Sequence, residues 1–155
     1  MIKFKTILFP TDFSRSAEHA LDYASSLAIE YESSILLAHV IEDISFNSPF
    51  TLSSFPTSLE YHHGMEATVK EKLATVISAQ LKRQSHVEEV VLRGKPFVEI
   101  VRLAKERNVD LIVMATHSQT GIRHSQLGST SERVVRKASC PVMVIRHPDF
   151  QFVMP

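Results

Sequence analysis

The chain has no tryptophan, one cysteine and four glycines in 155 residues. A lone cysteine, Cys140, excludes an intramolecular disulfide and any zinc site built from several thiolates. It also fits a reducing compartment. No charge of one sign predominates: Lys+Arg and Asp+Glu each number 17, so the formal net charge is zero. Wrapping DNA or anchoring to a membrane surface through a basic patch needs a surplus of cation. Neither nucleic acid nor membrane is therefore an expected partner. No apolar run approaches the roughly 20 residues that span a bilayer. The first apolar run ends at Pro10, too early for a signal-peptide core and its cleavage site, so a cytoplasmic protein is expected. The Gly-x4-Gly-Lys-Ser/Thr phosphate loop and the Gly-x-Gly-x2-Gly dinucleotide fingerprint are both missing.

What remains is an ordinary globular composition, 44% hydrophobic and 22% charged. The length suits one core, and no internal repeat is present, so residues 1–155 are expected to form a single domain. Short apolar runs alternate with helical stripes. Phe4 to Phe9, Ser34 to Val40, Val87 to Leu92, Val109 to Met114 and Pro141 to Ile145 read as buried strands. Between the first two, Ala17, Ala20, Leu21, Ala24, Leu27, Ala28 and Tyr31 form one stripe, with Ser14 as its N-cap. A second stripe holds Met65, Val69, Leu73, Val76, Ile77 and Leu81, with Thr57 and Glu60 at capping-box spacing. Gly94-Lys95-Pro96 opens a helix carrying Phe97, Ile100, Val101 and Ala104, Pro being favourable in a first turn. Ser129 to Ala138 reads as a helix with Val134 and Val135 inward. Ile41 to Ser58 has no clear period and reads as a long loop.

Strands alternating with helices predict an α/β fold: an open, doubly wound, five-stranded parallel sheet with helices on both faces, Rossmann-like. Such sheets bind ligands beyond the carboxyl ends of the strands, where the strand order reverses. Two strand ends carry the residues of interest. One is Pro10-Thr11-Asp12-Phe13-Ser14. The other runs from Ala115 through Ser118 and Gly121 to Gly128-Ser129-Thr130-Ser131. Gly128 precedes a helix start, whose exposed N–H groups and dipole favour an anion such as phosphate, and the hydroxyls of Ser129, Thr130 and Ser131 add donors.

Plainer roles stand beside these. Ser129 and Glu132 have capping-box spacing. Asp12 can serve only the turn into the next helix, and Gly121 only a turn. His117, Arg123 and His124 fit solvated loop side chains as well as phosphate contacts or a pH response. The neighbouring His62 and His63 do not face one another on a helix, which argues against metal. Cys140 suits a small buried apolar site, and Val40 and Met114 suit a core.

The motifs Ile7-Leu8-Phe9-Pro10-Thr11-Asp12, His39-Val40, Gly94-Lys95-Pro96 and Cys140-Pro141-Val142-Met143-Val144-Ile145 together resemble the universal stress protein family of UspA-like domains, over nearly the whole chain. The resemblance implies an adenine nucleotide alpha hydrolase-like fold. One branch of that family binds ATP through Gly-x2-Gly-x9-Gly-Ser/Thr, a pattern that falls here on Ala115, Ser118, Gly128 and Ser129. By resemblance the base lies near Pro10, Thr11, Asp12, Val40 and Met114. The phosphates, with magnesium as a possible companion, meet Ala115, Ser118, Gly128, Ser129 and Thr130. The implied function is a stress-response switch or sensor that binds ATP. The resemblance also implies a homodimer joined through the edge strand Val142–Ile145; the alternative is a monomer whose tail, around Phe150 and Phe152, covers that edge. Two loop glycines are replaced, so the alternative function is a dimeric interaction module without nucleotide. No residue stands out as a general base, which favours a binding protein over an enzyme and leaves slow ATP hydrolysis as a weaker reading.

Overall fold

A computed structural model describes residues 1–42, 58–83, 86–116 and 127–148, with the side chains of 58–63 left aside. In chain order the elements are β1 (Thr6–Pro10), α1 (Arg15–Tyr31), β2 (Ser34–Ile41), α2 (Ser58–Gln80), β3 (Val87–Arg93), α3 (Pro96–Glu106), β4 (Leu111–Ala115), α4 (Ser129–Lys137) and β5 (Val142–Ile145). The strands pair in the order β3-β2-β1-β4-β5, every pair parallel. The chain thus builds outward from β1 to β3, then returns to the other side of β1 for β4 and β5. The strand order reverses between β1 and β4, where open α/β sheets leave a crevice.

The strands read as continuous apolar runs because both faces are covered. Side chains alternate between two cores. Ile7, Phe9, Ile35, Leu37, Leu111 and Val113 pack with Ala17, Ala20, Leu21, Ala24 and Ala28 of α1 and Val69 and Leu73 of α2. Leu8, Leu36, Ala38, Ile112 and Met114 pack with Ile100, Leu103 and Ala104 of α3 and Val134 of α4. The alanine stripe of α1 allows that helix to lie close against the sheet.

The helix ends follow their local chemistry. Ser14 caps α1, its hydroxyl oxygen accepting from the Ala17 N–H at 3.2 Å. The helix stops at Glu32, which takes the left-handed region (φ 54), and Ser33 N–H closes back on the Ala28 carbonyl at 2.9 Å. Pro96 opens α3. Just before it, Gly94 sits at φ 131, and a Cβ there would meet the Glu99 carboxylate at 3.2 Å, so the turn requires glycine.

Several predicted details differ. β1 runs through Pro10 instead of stopping before it. The Thr11 N–H points at Ala38 of β2, so alternation turns the Pro10 nitrogen toward β4, beyond the Ile7 and Leu8 pairs at which that ladder ends. β4 starts at Leu111, later than expected; just before it the Asp110 carboxylate accepts from the N–H groups of Lys5 (2.7 Å) and Thr6 (2.9 Å). Tyr31 is exposed and meets Phe4 edge-on, with ring centres 5.0 Å apart. Val135, expected inward, is 46% exposed; Val134 alone fills that core position. Most of the predicted 41–58 loop, Thr57, and the tail with Phe150 and Phe152 lie outside the described residues.

Candidate functional site

The carboxyl ends of β1, β2 and β4 open into a cavity of about 430 Å³, within the usual range for small-molecule sites. Its wall includes Pro10, Thr11, Asp12, Val40, Met114, Ala115, Gly128, Ser129 and Thr130. The structure therefore brings together every predicted site residue except Ser118. That residue lies outside the described residues, as do His117, Gly121, Arg123 and His124.

The β1 end of the wall is held by short-range bonds. Asp12 Oδ1 accepts from the Ser14 N–H at 3.0 Å, and Thr11 Oγ1 accepts from the Phe13 N–H at 3.0 Å. These bonds set up a turn in which Phe13 adopts φ 62, uncommon for a bulky side chain. The turn is braced from β2. His39 Nδ1 donates to the Thr11 carbonyl at 2.7 Å, because a carbonyl oxygen accepts only. The His39 ring packs on Phe13 with centres 4.7 Å apart, and Lys72 Nζ of α2 stands 5.5 Å from the Phe13 ring centre. Asp12 thus serves the turn into α1 and also belongs to the cavity wall.

The opposite wall is the start of α4. Gly128 is its N-cap, at φ −65 and ψ 152, and contributes no side-chain cap. The predicted capping box is not formed. Ser129 is the first helical residue, one place too late to cap, and Glu132 pairs with Arg136 at 2.9 Å. The helix start is tied to the end of β4 instead. Gly128 N–H donates to the Thr116 carbonyl at 2.8 Å, and the buried Ser131 hydroxyl donates to the carbonyls of Ala115 (2.9 Å) and Thr116 (3.3 Å). The Ser131 donor, expected at a phosphate, is spent on backbone. The N–H groups of an uncapped first turn keep no intrahelical partner, and the helix dipole makes that wall attractive to anions.

Among the described residues the wall contains the carboxylates of Asp12 and Glu42 and no lysine or arginine. Its apolar part comes from Val40, Ile41, Met65, Val69, Ile100 and Met114. The sequence pattern puts Met65, Val69 and Ile100 on apolar helix stripes, and nothing local marks them as cavity residues; α2 and α3 bring them there by packing over the strand ends. His39 left a usable signal, a polar residue near the end of an otherwise apolar strand. Among the described residues no cluster of three or more His, Cys, Asp or Glu is disposed to hold a metal, and no helix is long and apolar enough to cross a membrane.

Comparison with known proteins agrees with this architecture. The model of the universal stress protein family matches residues 3–146. Universal stress protein MJ0577 of Methanocaldococcus jannaschii is 29% identical, with 94% of this chain and 96% of that protein covered. Universal stress protein MJ0531 of the same organism is 33% identical, with 94% and 84% covered. A solved structure of MJ0577 superposes with a TM-score of 0.79 at 27% identity, covering 96% of this chain and 99% of that one. The universal stress protein from Archaeoglobus fulgidus in complex with dAMP superposes with a TM-score of 0.62 at 26% identity, covering 93% and 98%. The family match runs from before β1 to beyond β5 and leaves no strand of the sheet outside it: the chain belongs to the universal stress protein family.

Proposed function

We propose that this protein binds an adenine nucleotide in the β1–β4 crevice and acts as a nucleotide-responsive stress switch or sensor. One observation carries the reading: the Asp12 strand end and the Gly128–Ser129 helix start, far apart in sequence, face the same cavity. The apolar wall of Val40, Ile100 and Met114 suits a flat base. Asp12 suits the adenosine portion, and the start of α4 suits phosphate. The dAMP complex of a relative from Archaeoglobus fulgidus supports the ligand class. ATP with magnesium is the proposed physiological form: the carboxylates of Asp12 and Glu42 add no positive charge, and the metal would offset the charge of a triphosphate.

The test is calorimetric titration with adenosine, AMP and ATP, with and without magnesium. Heat that saturates at one nucleotide per chain is the expected result. Gly128→Val, which puts a branched side chain at the phosphate wall, is expected to abolish it. No heat and no thermal shift at millimolar nucleotide would refute the reading and leave the interaction-module alternative.

A homodimer through β5 is part of the proposal. β5 is the last strand of the sheet; the Pro141 carbonyl just before it accepts from Ile112 of β4, and the Ile145 carbonyl at its end accepts from Thr116 just after β4. Alternation therefore turns the backbone groups of Val142 and Val144 outward, where a second copy can pair antiparallel. Sedimentation is expected to give twice the 17.5 kDa chain mass. Val144→Pro, which removes an outward N–H and spares the β4 ladder, is expected to give the single mass. A wild-type monomer would refute the pairing.

A further inference from the structure

The buried Ser131 belongs to the cavity wall, yet its hydroxyl is turned to the backbone. Thr116 N–H points at Ile145 of β5, so alternation along β4 turns the Ala115 carbonyl toward β1. The β1–β4 ladder pairs Ile7 and Leu8 with Leu111 and Ile112 and no further, so this carbonyl faces the crevice without a ladder partner. Left bare, its negative end would stand in the wall that is to receive an anion. The Ser131 hydroxyl donates to it at 2.9 Å and reaches the Thr116 carbonyl at 3.3 Å. The Gly128 N–H meets the same Thr116 carbonyl at 2.8 Å. The Gly128 and Ser131 bonds fix the first turn of α4 against the end of β4, and the Ser131 bond to Ala115 neutralises the inward carbonyl.

We infer that Ser131 is a positioning residue for the phosphate end of the site: it aims the first-turn N–H groups of α4 at the ligand and screens the Ala115 carbonyl from it. The inference rests on the nucleotide reading above. It has a consequence that a merely structural role lacks. Removing the hydroxyl should weaken ligands in proportion to what they place at α4, and leave the base and ribose contacts alone.

The experiment is titration of wild type, Ser131→Ala and Ser131→Thr with adenosine and with AMP. Ser131→Ala is expected to weaken AMP by about three- to tenfold, the scale of a helix-terminus interaction with an anion, and adenosine by less than about twofold. Ser131→Thr keeps the hydroxyl and is expected to restore AMP binding. If Ser131→Ala does not fold, Ser131→Cys, of similar size and a weak donor, is measured in its place with the same expectation. Equal losses for adenosine and AMP, or no loss for either, would overturn the inference while the nucleotide site stands. Failure of wild type to bind both ligands would instead overturn the proposed function, and the inference with it.

Discussion

Asp12 has two roles that a pair of substitutions separates. Its Oδ1 accepts the Ser14 N–H at 3.0 Å, which belongs to the turn into α1, and the same side chain belongs to the cavity wall. Asp12→Ala removes the acceptor. A part-buried hydrogen bond of this kind contributes about 1 kcal/mol, and for a chain of this length that corresponds to a fall in Tm of about 2–4 °C. Asp12→Asn keeps an oxygen acceptor for Ser14, so its Tm should stay within about 1 °C of wild type. Binding should sort differently. If the carboxylate accepts a ligand hydroxyl, losing that charged hydrogen bond costs about 1.5–3 kcal/mol, or about ten- to 150-fold in Kd. Both variants should then bind adenosine and AMP weakly, although only the alanine variant melts early. Differential scanning calorimetry and titration calorimetry on the same samples provide the two readouts. An asparagine variant with wild-type Tm and wild-type Kd would refute the ligand role and leave Asp12 as a turn residue.

Other expectations concern the scaffold. Glu32→Gly should raise stability by about 0.5–1 kcal/mol, because a side chain at φ 54 is strained where glycine is not; chemical denaturation checks this. The Arg107 guanidinium, which donates to Glu88 at 2.8 and 2.6 Å, holds the Glu88 carboxyl below the ordinary carboxylate range. The stabilisation from a depressed carboxyl is complete above the unfolded value of about 4.3 and is lost as pH falls through the lower folded value. Glu88→Gln should therefore lose slightly less stability than wild type from about pH 5 to pH 3, by a few tenths of a kcal/mol at most for so exposed a pair, read from melting curves across that range. Burial, then the nearby Asp110 charge, pushes the Cys140 thiol up, so alkylation at neutral pH should be slower than for a free thiol in the same buffer.

The strands and helices were legible because their signals are local. Short continuous apolar runs mark strands, the alanine stripe from Ala17 to Ala28 marks α1, and Ser14 and Pro96 mark helix starts through properties of their own side chains. The strand-end residues Asp12 and Gly128 were legible as candidates because turns and helix starts restrict residue type. What was misread depends on contacts made at a distance. Ser129 has capping-box spacing with Glu132, yet the Gly128–Thr116 bond starts the helix one residue earlier. Val134 and Val135 are equally apolar, and only the rotation of α4 against α3 and the sheet decides which is buried. His39, Met65, Val69 and Ile100 join the cavity because three elements converge over the strand ends.

By itself the sequence determined the order and type of the elements and the chemistry available at each strand end, since propensity, capping and hydrophobic period act over a few residues. Only the tertiary structure decided that β1 lies between β2 and β4, so that Asp12 and the start of α4 share one crevice, and that the Ser131 hydroxyl turns to the backbone instead of a ligand. The physical reason is that strand order and the partner of a buried donor are set by packing between segments remote in the chain, and no local pattern encodes them.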